Sequence, residues 1–342
     1  MDNTSVTSDL TSSAGQTPWY NVVVYQGFNG YGVTITYLLM NLIVATLGLA
    51  ILLLNSYAAY VMSCKPHNWD VTYVFIKNLA ISDALCGLFT IYNIFYNLIH
   101  YKLFYECLFR FGVLNCILLN SSLNLFALTF DRYVKITAPY IYWRIFEEER
   151  AKVFTIVTWC FTIVMALVPL VGWHTEQNTD YCGYFGVFTR AYLAMLLLIV
   201  LIGFLLLCVM YIHILIIASA KSSQTQLFQE RMLQIQGLAV YRSRNPVKAL
   251  WWKPTKIILL IIGINVLCYT PVGIYVPCVL FGMMDDLDVG TQGTLLLYIS
   301  CPLYLNSLAN PIIYAYKIPL VRKAFRRLVC CSKHDSTASI TY

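Results

Sequence analysis

Long apolar segments separated by short polar connections dominate the hydropathy pattern of the chain, and seven of them can be counted. Each is long enough for a helix that crosses a bilayer, which requires about 20 apolar residues. The predicted spans are Ile35–Val61, Val71–Ile99, Phe104–Thr137, Val153–Gly172, Ala191–Ala220, Lys256–Phe281 and Thr291–Tyr316. The pattern therefore predicts an all-α membrane protein, a bundle of seven transmembrane helices.

The segments outside the spans divide the chain into three parts. Residues 1–32 form a polar tail that lacks the basic start and the apolar stretch of a cleavable signal peptide. Residues 33–317 form the seven-helix domain, whose longest connection, 221–254, is expected to hold helical extensions of spans five and six. In residues 318–342, apolar and basic side chains recur at helical spacing, which predicts a short amphipathic eighth helix on the inner leaflet and a cytoplasmic tail.

Composition agrees with a membrane protein and excludes other classes. Of the 342 residues, 59% are hydrophobic and only 11% are charged, and the mean hydropathy is +0.67. Soluble proteins carry about 25% charged residues, so an ordinary cytosolic enzyme and a disordered chain are both excluded. The sequence offers no metal-binding cluster and no nucleophile–base pair at one membrane depth, so neither an enzyme nor a cofactor is expected.

The basic residues predict the orientation of the bundle. If the N-terminus is outside, all 23 Lys and Arg except Lys102, Arg110 and Arg190 belong to the cytoplasmic side, as basic residues near span ends prefer. The N-terminus is therefore predicted to be extracellular and the C-terminus cytoplasmic. Asn3 then begins an exported Asn-Thr-Ser glycosylation triplet. The basic excess attracts anionic membrane lipid and gives no indication of nucleic-acid binding.

Most of the 12 cysteines lie within spans, where a thiol behaves as a small apolar side chain. Cys107 and Cys182 instead face the oxidising side, so a bridge between them is chemically permitted. Cys278 and Cys301, near the outer ends of spans six and seven, are the alternative pair. Cys330 and Cys331 end the amphipathic helix at bilayer depth, where they are either palmitoylated or unmodified thiols. Asp83 is the only charged residue expected deep in the membrane, where it needs polar partners or a cation.

An ordered set of motifs resembles the rhodopsin-like G-protein-coupled receptors and covers all seven spans. The matching residues are Asn55, Asn78-Leu79-Ala80-Ile81-Ser82-Asp83, Cys107, Asp131-Arg132-Tyr133, Trp159, Tyr211, Cys268-Tyr269-Thr270-Pro271 and Asn310-Pro311-Ile312-Ile313-Tyr314. The run Leu167–Trp173, with Asn306-Ser307, is similar to the branch of adenosine, cannabinoid and melanocortin receptors. The resemblance implies a plasma-membrane receptor that activates a heterotrimeric G protein, with arrestin and a receptor kinase as further partners.

The resemblance also implies two buried sites. The family disulfide corresponds to Cys107 and Cys182. An allosteric sodium ion would be held by Asp83, Ser121, Asn306 and Asn310. The alternative for the second site is a protonated Asp83 that is hydrogen-bonded to Asn55 and Asn310.

The family's activation switch corresponds to residues at the cytoplasmic ends of the spans and at two proline positions. These residues are Asp131, Arg132, Tyr133, Tyr211, Tyr269, Pro271, Asn310, Pro311 and Tyr314. Tyr269 replaces the family's tryptophan, and Ser122 replaces an isoleucine. Trp251 replaces the acidic residue that usually pairs with the motif arginine, so basal activity is expected unless the Trp251 and Trp252 rings hold the inactive form by packing.

The family's pocket positions carry an aromatic and largely uncharged set, namely Leu114, Asn115, Tyr184, Tyr269, Tyr275, Val276 and Tyr304. Such a set favours a neutral lipid or an amphipathic small molecule over an amine. The acidic residues Asp285, Asp286 and Asp288 in the last outer loop are either solvated or face a basic peptide. A seven-span transporter or channel is the alternative function, although it needs charged residues along a continuous path.

Overall fold

A computed structural model describes residues 23–26, 32–64, 71–99, 103–175, 182–235 and 246–329, without the side chains of 24–26, 32, 218, 221–262, 317, 328 and 329. Its elements are β1 (Val23–Gln26), β2 (Gly32–Thr34), α1 (Ile35–Ser63), α2 (Thr72–Ile99), α3 (Phe104–Thr137), α4 (Pro139–Ile145), α5 (Glu148–Leu167), α6 (Tyr184–Val187), α7 (Arg190–Ile235), α8 (Pro246–Leu280), α9 (Val289–Ile299), α10 (Cys301–Lys317) and α11 (Pro319–Val329). Seven spans of membrane-crossing length and hydropathy are present in the described residues, and α9 and α10 together form the seventh. The predicted seven-helix bundle is confirmed.

The bundle is polar inside and apolar outside. Asn55, Asn78 and Asn124 are buried between helices, whereas Leu53 and Leu205 are exposed on the lipid-facing surface. Because a bilayer offers no hydrogen bonds, polar side chains are most stable where neighbouring helices can satisfy them. Trp159 Nε1 donates to Asn78 Oδ1 at 2.9 Å, and Asn78 Nδ2 donates to Asn124 Oδ1 at 2.5 Å. This chain of hydrogen bonds joins α5, α2 and α3.

Two glycines let α1 and α2 approach closely. A Cβ atom at Gly87 would lie 2.5 Å from the carbonyl oxygen of Gly48 and 2.6 Å from the backbone nitrogen of Leu52. No side chain fits at that distance, so small residues at both positions are required for the observed packing. This contact fixes α2, which carries Asp83 and Asn93.

The helix bounds differ from the predicted spans at several ends. Helix α5 begins at Glu148 rather than Val153, and its last turn continues as a 3-10 turn over Val168–Val171. The seventh span is not one helix, because it breaks at Ser300. Pro302 follows at the start of α10, where its missing N–H prevents continuation of the preceding helix. Helices α7 and α8 extend beyond the apolar spans, as expected for the long connection.

The chain also forms elements that the sequence pattern did not predict. Strands β1 and β2 pair as an antiparallel hairpin that leads directly into α1. The short helix α4 follows α3 and places the Tyr142 side chain in the interior, where it is 1% exposed. Asp288 caps α9 by accepting hydrogen bonds from Thr291, which hold the pKa of the Asp288 carboxyl below its usual range.

The predicted amphipathic eighth helix is confirmed as α11. Val321 is fully buried against α1 and α10, whereas Arg322, Lys323, Arg326 and Arg327 are exposed. The Tyr57 hydroxyl on α1 donates to the Ala324 carbonyl at 3.2 Å. Cys330, Cys331 and Asn3 lie outside the described residues.

Candidate ligand pocket and signalling core

A cavity of about 180 Å³ opens between the helices at the end of the bundle that carries the disulfide. It is lined by five of the seven predicted pocket residues, Leu114, Asn115, Tyr184, Val276 and Tyr304. Helices α2 and α9 add residues that the sequence did not single out, including Asn93, Asn97 and Thr294. The Tyr184 hydroxyl donates to Asn115 Oδ1 at 3.0 Å and so joins α6 to α3 across the cavity.

The other two predicted pocket residues point elsewhere. The Tyr275 hydroxyl donates to the Gln292 carbonyl at 2.9 Å, which ties α8 to α9. Tyr269 lies deeper, with its hydroxyl 3.4 Å from the Ser122 hydroxyl on α3. Neither belongs to the described residues that line the cavity. Their assignment to the pocket is therefore not supported by the geometry, because helix rotation directs both side chains toward neighbouring helices.

The disulfide between Cys107 and Cys182 is formed, which confirms the predicted pairing. It joins the start of α3 to the segment before α6. Gly183 of that segment and Tyr184 at the start of α6 line the cavity. The alternative partners, Cys278 and Cys301, are both free thiols. The bridge therefore holds the covering segment against α3.

Arg110 is buried beside the cavity, although the sequence placed it among the outer charges. Its side chain is only 1% exposed, and its Nε lies 3.3 Å from Glu106 Oε1, one helical turn away. The expectation that Asp83 is the only deeply buried charge is therefore wrong. Opposite charges four residues apart in an apolar helix are the signal that could have identified this pair.

Asp83 is fully buried and accepts three hydrogen bonds. The Ser121 hydroxyl donates to Oδ1 at 3.1 Å, the Ser307 hydroxyl to the same oxygen at 3.0 Å, and Asn310 Nδ2 to Oδ2 at 2.7 Å. Ser307 thus takes the place expected for Asn306, which is buried on the same helix.

Asn55 makes no hydrogen bond to Asp83, although the alternative of a protonated Asp83 required one. Its Nδ2 instead donates to the carbonyls of Ile51 and Ser307, while its Oδ1 is buried without a hydrogen bond. The oxygens of Asp83, Ser121, Ser307 and Asn55 are hard ligands of the kind that small cations bind.

The Asp131-Arg132-Tyr133 motif lies at the opposite end of α3. The buried Asp131 carboxylate accepts hydrogen bonds from Thr72 and Tyr142, both at 2.8 Å, and its Oδ2 lies 3.4 Å from Arg132 Nε. The Tyr133 hydroxyl lies 2.8 Å from His213 Nδ1 on α7. Thr72, Tyr142 and His213 were not identified from the sequence, because each reaches the motif from another element.

The remaining switch residues are separate in this conformation. Tyr211 packs beside Leu125 and Leu207, whereas Tyr314 is buried with residues of α1 and α2. Pro311 lies inside α10, and Pro271 lies within α8. Trp251 lies outside the residues whose side chains are described.

A bundle of seven spans with a cavity at one end and a buried Asp131 paired with Arg132 at the other is the architecture of a seven-helix membrane receptor. The chain belongs to the family "7 transmembrane receptor (rhodopsin family)", whose model matches residues 54–314. It is therefore a G-protein-coupled receptor, as its motifs predicted. Membership of this receptor family favours a receptor over the alternative of a transporter or channel.

Curated relatives include receptors for a lipid. Lysophosphatidic acid receptor 3 of Rattus norvegicus is 26% identical over 269 residues, which cover 78% of this chain and 71% of that receptor. Lysophosphatidic acid receptor 1 of Mus musculus is 25% identical over 267 residues, covering 77% and 68% of the two chains. Membership of the adenosine, cannabinoid and melanocortin branch stays a prediction.

Proposed function

We propose that this receptor couples the binding of an amphipathic lipid to nucleotide exchange on a heterotrimeric G protein, without covalent chemistry of its own. It acts in the plasma membrane with the disulfide end outside and the Arg132 end in the cytoplasm. Arrestin and a receptor kinase regulate it from the same cytoplasmic face. The similarity to lysophosphatidic acid receptors supports a lipid as the class of ligand.

The observation that carries this proposal is the distribution of side chains around the cavity. Leu114, Leu118, Val272 and Leu303 provide apolar wall, while Asn93, Asn97 and Asn115 place amides among them. An acyl chain removes apolar surface from water against such a wall, and a polar head needs the hydrogen bonds that the amides offer.

Activation would then depend on Arg132 leaving Asp131. Arg132 is about one-third exposed and is bound to a carboxylate that Thr72 and Tyr142 hold in place. A ligand that favours the conformation in which Arg132 is released shifts the receptor toward the form that binds the G protein. Position 251 holds a tryptophan and not the acidic residue that would pair with Arg132, which weakens the inactive form. Basal activity is therefore part of the proposal.

A sodium ion at Asp83 is proposed to favour the inactive form. Ser121 and Asn310 from the predicted set surround the buried Asp83 carboxylate, and the Ser307 hydroxyl completes the group. The two hydroxyls can rotate to present lone pairs to a cation, and the buried Asn55 Oδ1 has no hydrogen bond to give up. Asn306 stays in the proposed set as a neighbour on α10.

Two modifications complete the proposal, although both lie outside the described residues. Asn3 carries an N-linked glycan, and Cys330 and Cys331 carry palmitoyl chains that hold α11 at the membrane. The exposed basic face of α11 supports contact with anionic membrane lipid.

The test measures nucleotide exchange on purified G protein by receptor in lipid nanodiscs, with single-chain lipids added one at a time. A Val276→Trp variant fills the cavity and should lose the lipid response while keeping basal exchange. The control, Leu205→Trp, adds the same ring on the lipid-facing surface and should respond normally. If Val276→Trp responds like the parent, the ligand binds elsewhere, and if lipid drives ion flux without exchange, the receptor mechanism is wrong.

A further inference from the structure

Arg110, the cation beside the cavity, is held by contacts with the protein. Arg110 Nη1 donates to the Asn93 carbonyl and to Asn97 Oδ1, both at 3.2 Å, and its Nη2 lies 2.8 Å from the Cys182 sulfur. Its Nε faces Glu106 at 3.3 Å. The two terminal nitrogens of the guanidinium are thus hydrogen-bonded to the protein, whereas Nε is in ion-pair contact with Glu106 without a hydrogen bond.

Two aromatic rings also lie close to the same guanidinium. The Arg110 Cζ lies 5.3 Å from the centre of the Tyr96 ring and 5.2 Å from that of Phe111. Phe111, Asn93, Asn97 and Cys182 line the cavity, whereas Arg110 lies behind them. Because Glu106 balances its charge, an anionic ligand would have to displace protein groups before it could pair with Arg110.

The cavity surface itself is uncharged. Among the described residues, its lining contains no Asp, Glu, Lys, Arg or His. The hydroxyls of Thr294 and Ser300 donate to carbonyls of their own helix, those of Gly290 and Leu297. The donor hydrogens of these two hydroxyls are therefore already used.

Two amide atoms at the cavity are buried without a hydrogen bond. Asn93 is 6% exposed, and its Oδ1 is an unpaired acceptor. Asn115 Nδ2 is a buried donor without a hydrogen bond, and the neighbouring Tyr192 hydroxyl donates to the Met165 carbonyl at 2.9 Å. Buried polar atoms without a partner are costly. This donor and this acceptor belong to residues that line the cavity, where the polar head of a ligand would satisfy both.

From these contacts we propose that the cavity recognises the uncharged head of a single-chain lipid, one that carries both a hydrogen-bond donor and an acceptor. Asn93 Oδ1 accepts from the head, and Asn115 Nδ2 donates to it. Arg110 is a positioning residue, which holds α2, α3 and the Cys182 segment around the cavity. The inference rests on the proposed lipid function. It differs from the lysophosphatidic acid named for the relatives, because no cation lines the cavity in the described part of the chain and Arg110 is paired with Glu106.

The first experiment compares four probes with the same acyl chain: monooleoylglycerol, oleoylethanolamide, oleic acid and oleoyl lysophosphatidic acid. Half-maximal concentrations for nucleotide exchange are measured on receptor in nanodiscs. The two uncharged lipids should act at concentrations at least about tenfold lower than either anion, which corresponds to one hydrogen-bonded group correctly matched. If an anionic probe is the more potent, the inference is wrong while the lipid function stands; if no probe acts, the lipid function itself fails.

Substitutions at the cavity test whether the Asn93 and Asn115 amides recognise the lipid head. Asn93→Leu should raise the half-maximal concentration of the uncharged lipids about tenfold, whereas Thr294→Val, at the same cavity, should change it less than about threefold. Should Asn93→Leu fail to reach the surface, the isosteric Asn115→Asp removes the donor and should weaken the same lipids. Equal potencies for parent and amide variants would overturn the assignment.

Glu106→Gln tests the role of Arg110 without altering the cavity lining. The change keeps an oxygen near Arg110 Nε but leaves the guanidinium charge unbalanced. The response to oleoyl lysophosphatidic acid should improve about tenfold, while the uncharged lipids stay within about threefold of the parent. If the lysophosphatidic acid response is lost or unchanged, the claim that Glu106 neutralises Arg110 is wrong.

Discussion

Replacing Asp131 with asparagine should raise basal nucleotide exchange, because the buried carboxylate holds Arg132. Asparagine has nearly the same shape, and the Thr72 and Tyr142 hydroxyls, both 2.8 Å from the carboxylate, can turn to suit its amide. The substitution therefore removes the charge while largely keeping the packing. Arg132 is then free to adopt the position that binds the G protein.

The magnitude follows from the geometry of the pair. At the 3.4 Å between Arg132 Nε and Asp131 Oδ2, two unit charges attract by about 5 kcal/mol at an effective dielectric constant of about 20. The Arg132 side chain is 31% exposed, so water screens the attraction and replaces part of it in the released form. We expect a net change of about 1–2 kcal/mol, which raises the ratio of active to inactive receptor about five- to thirtyfold.

The assay compares agonist-independent exchange at equal surface density. Glu149→Gln is the matched control, because it removes a carboxylate at the start of α5 that is 79% exposed and pairs with Lys152. The control should equal the parent, and the Asp131→Asn, Arg132→Ala double variant should be silent. The reasoning is refuted if Asp131→Asn is no more active than Glu149→Gln, or if the double variant keeps the raised activity.

Four other perturbations have defined outcomes. Arg132→Ala should abolish stimulated exchange at normal surface expression, and unchanged signalling would remove Arg132 from the mechanism. Serine at Cys107 or Cys182 should lower surface expression, since the bridge is worth about 2–4 kcal/mol; mass mapping that finds both thiols free in the parent would contradict this. Asp83→Asn should abolish the suppression of basal exchange by sodium relative to a bulky organic cation, and a parent insensitive to sodium would exclude the site. Trp251→Glu should lower basal exchange by restoring an acidic partner, and a silent parent or an equally active variant would contradict the missing contact.

Several parts of the fold followed from local sequence patterns alone. The bilayer demands about 20 apolar residues in each helix, so the spans could be placed from hydropathy without knowledge of their neighbours. The amphipathic α11 was likewise predicted from one periodic stretch, because its buried and exposed faces are set by its own residues. Cys107 and Cys182 were recognised as the bridge through their place in the family pattern and their common side of the membrane.

The site residues that the sequence missed, or that lie elsewhere in the structure than expected, depend on how the helices are rotated and packed. Successive residues of a helix differ in direction by about 100°, so the rotation of α10 decides that Ser307 bonds to Asp83 while its neighbour Asn306 does not. Rotation of α8 likewise turns Tyr275 toward Gln292 and away from the cavity.

Long-range packing determined the chemistry of the pocket. Arg110 could have faced water, a lipid head group or a ligand, and its sequence position near the end of a span allowed all three. Only the folded bundle brings Asn93, Asn97 and Cys182 around it and leaves it 1% exposed. The sequence by itself thus determined the seven helices and the receptor class, because membrane insertion acts on each segment locally. Tertiary structure decided which polar groups are engaged and which remain open to a ligand, because that depends on contacts between helices distant in the chain.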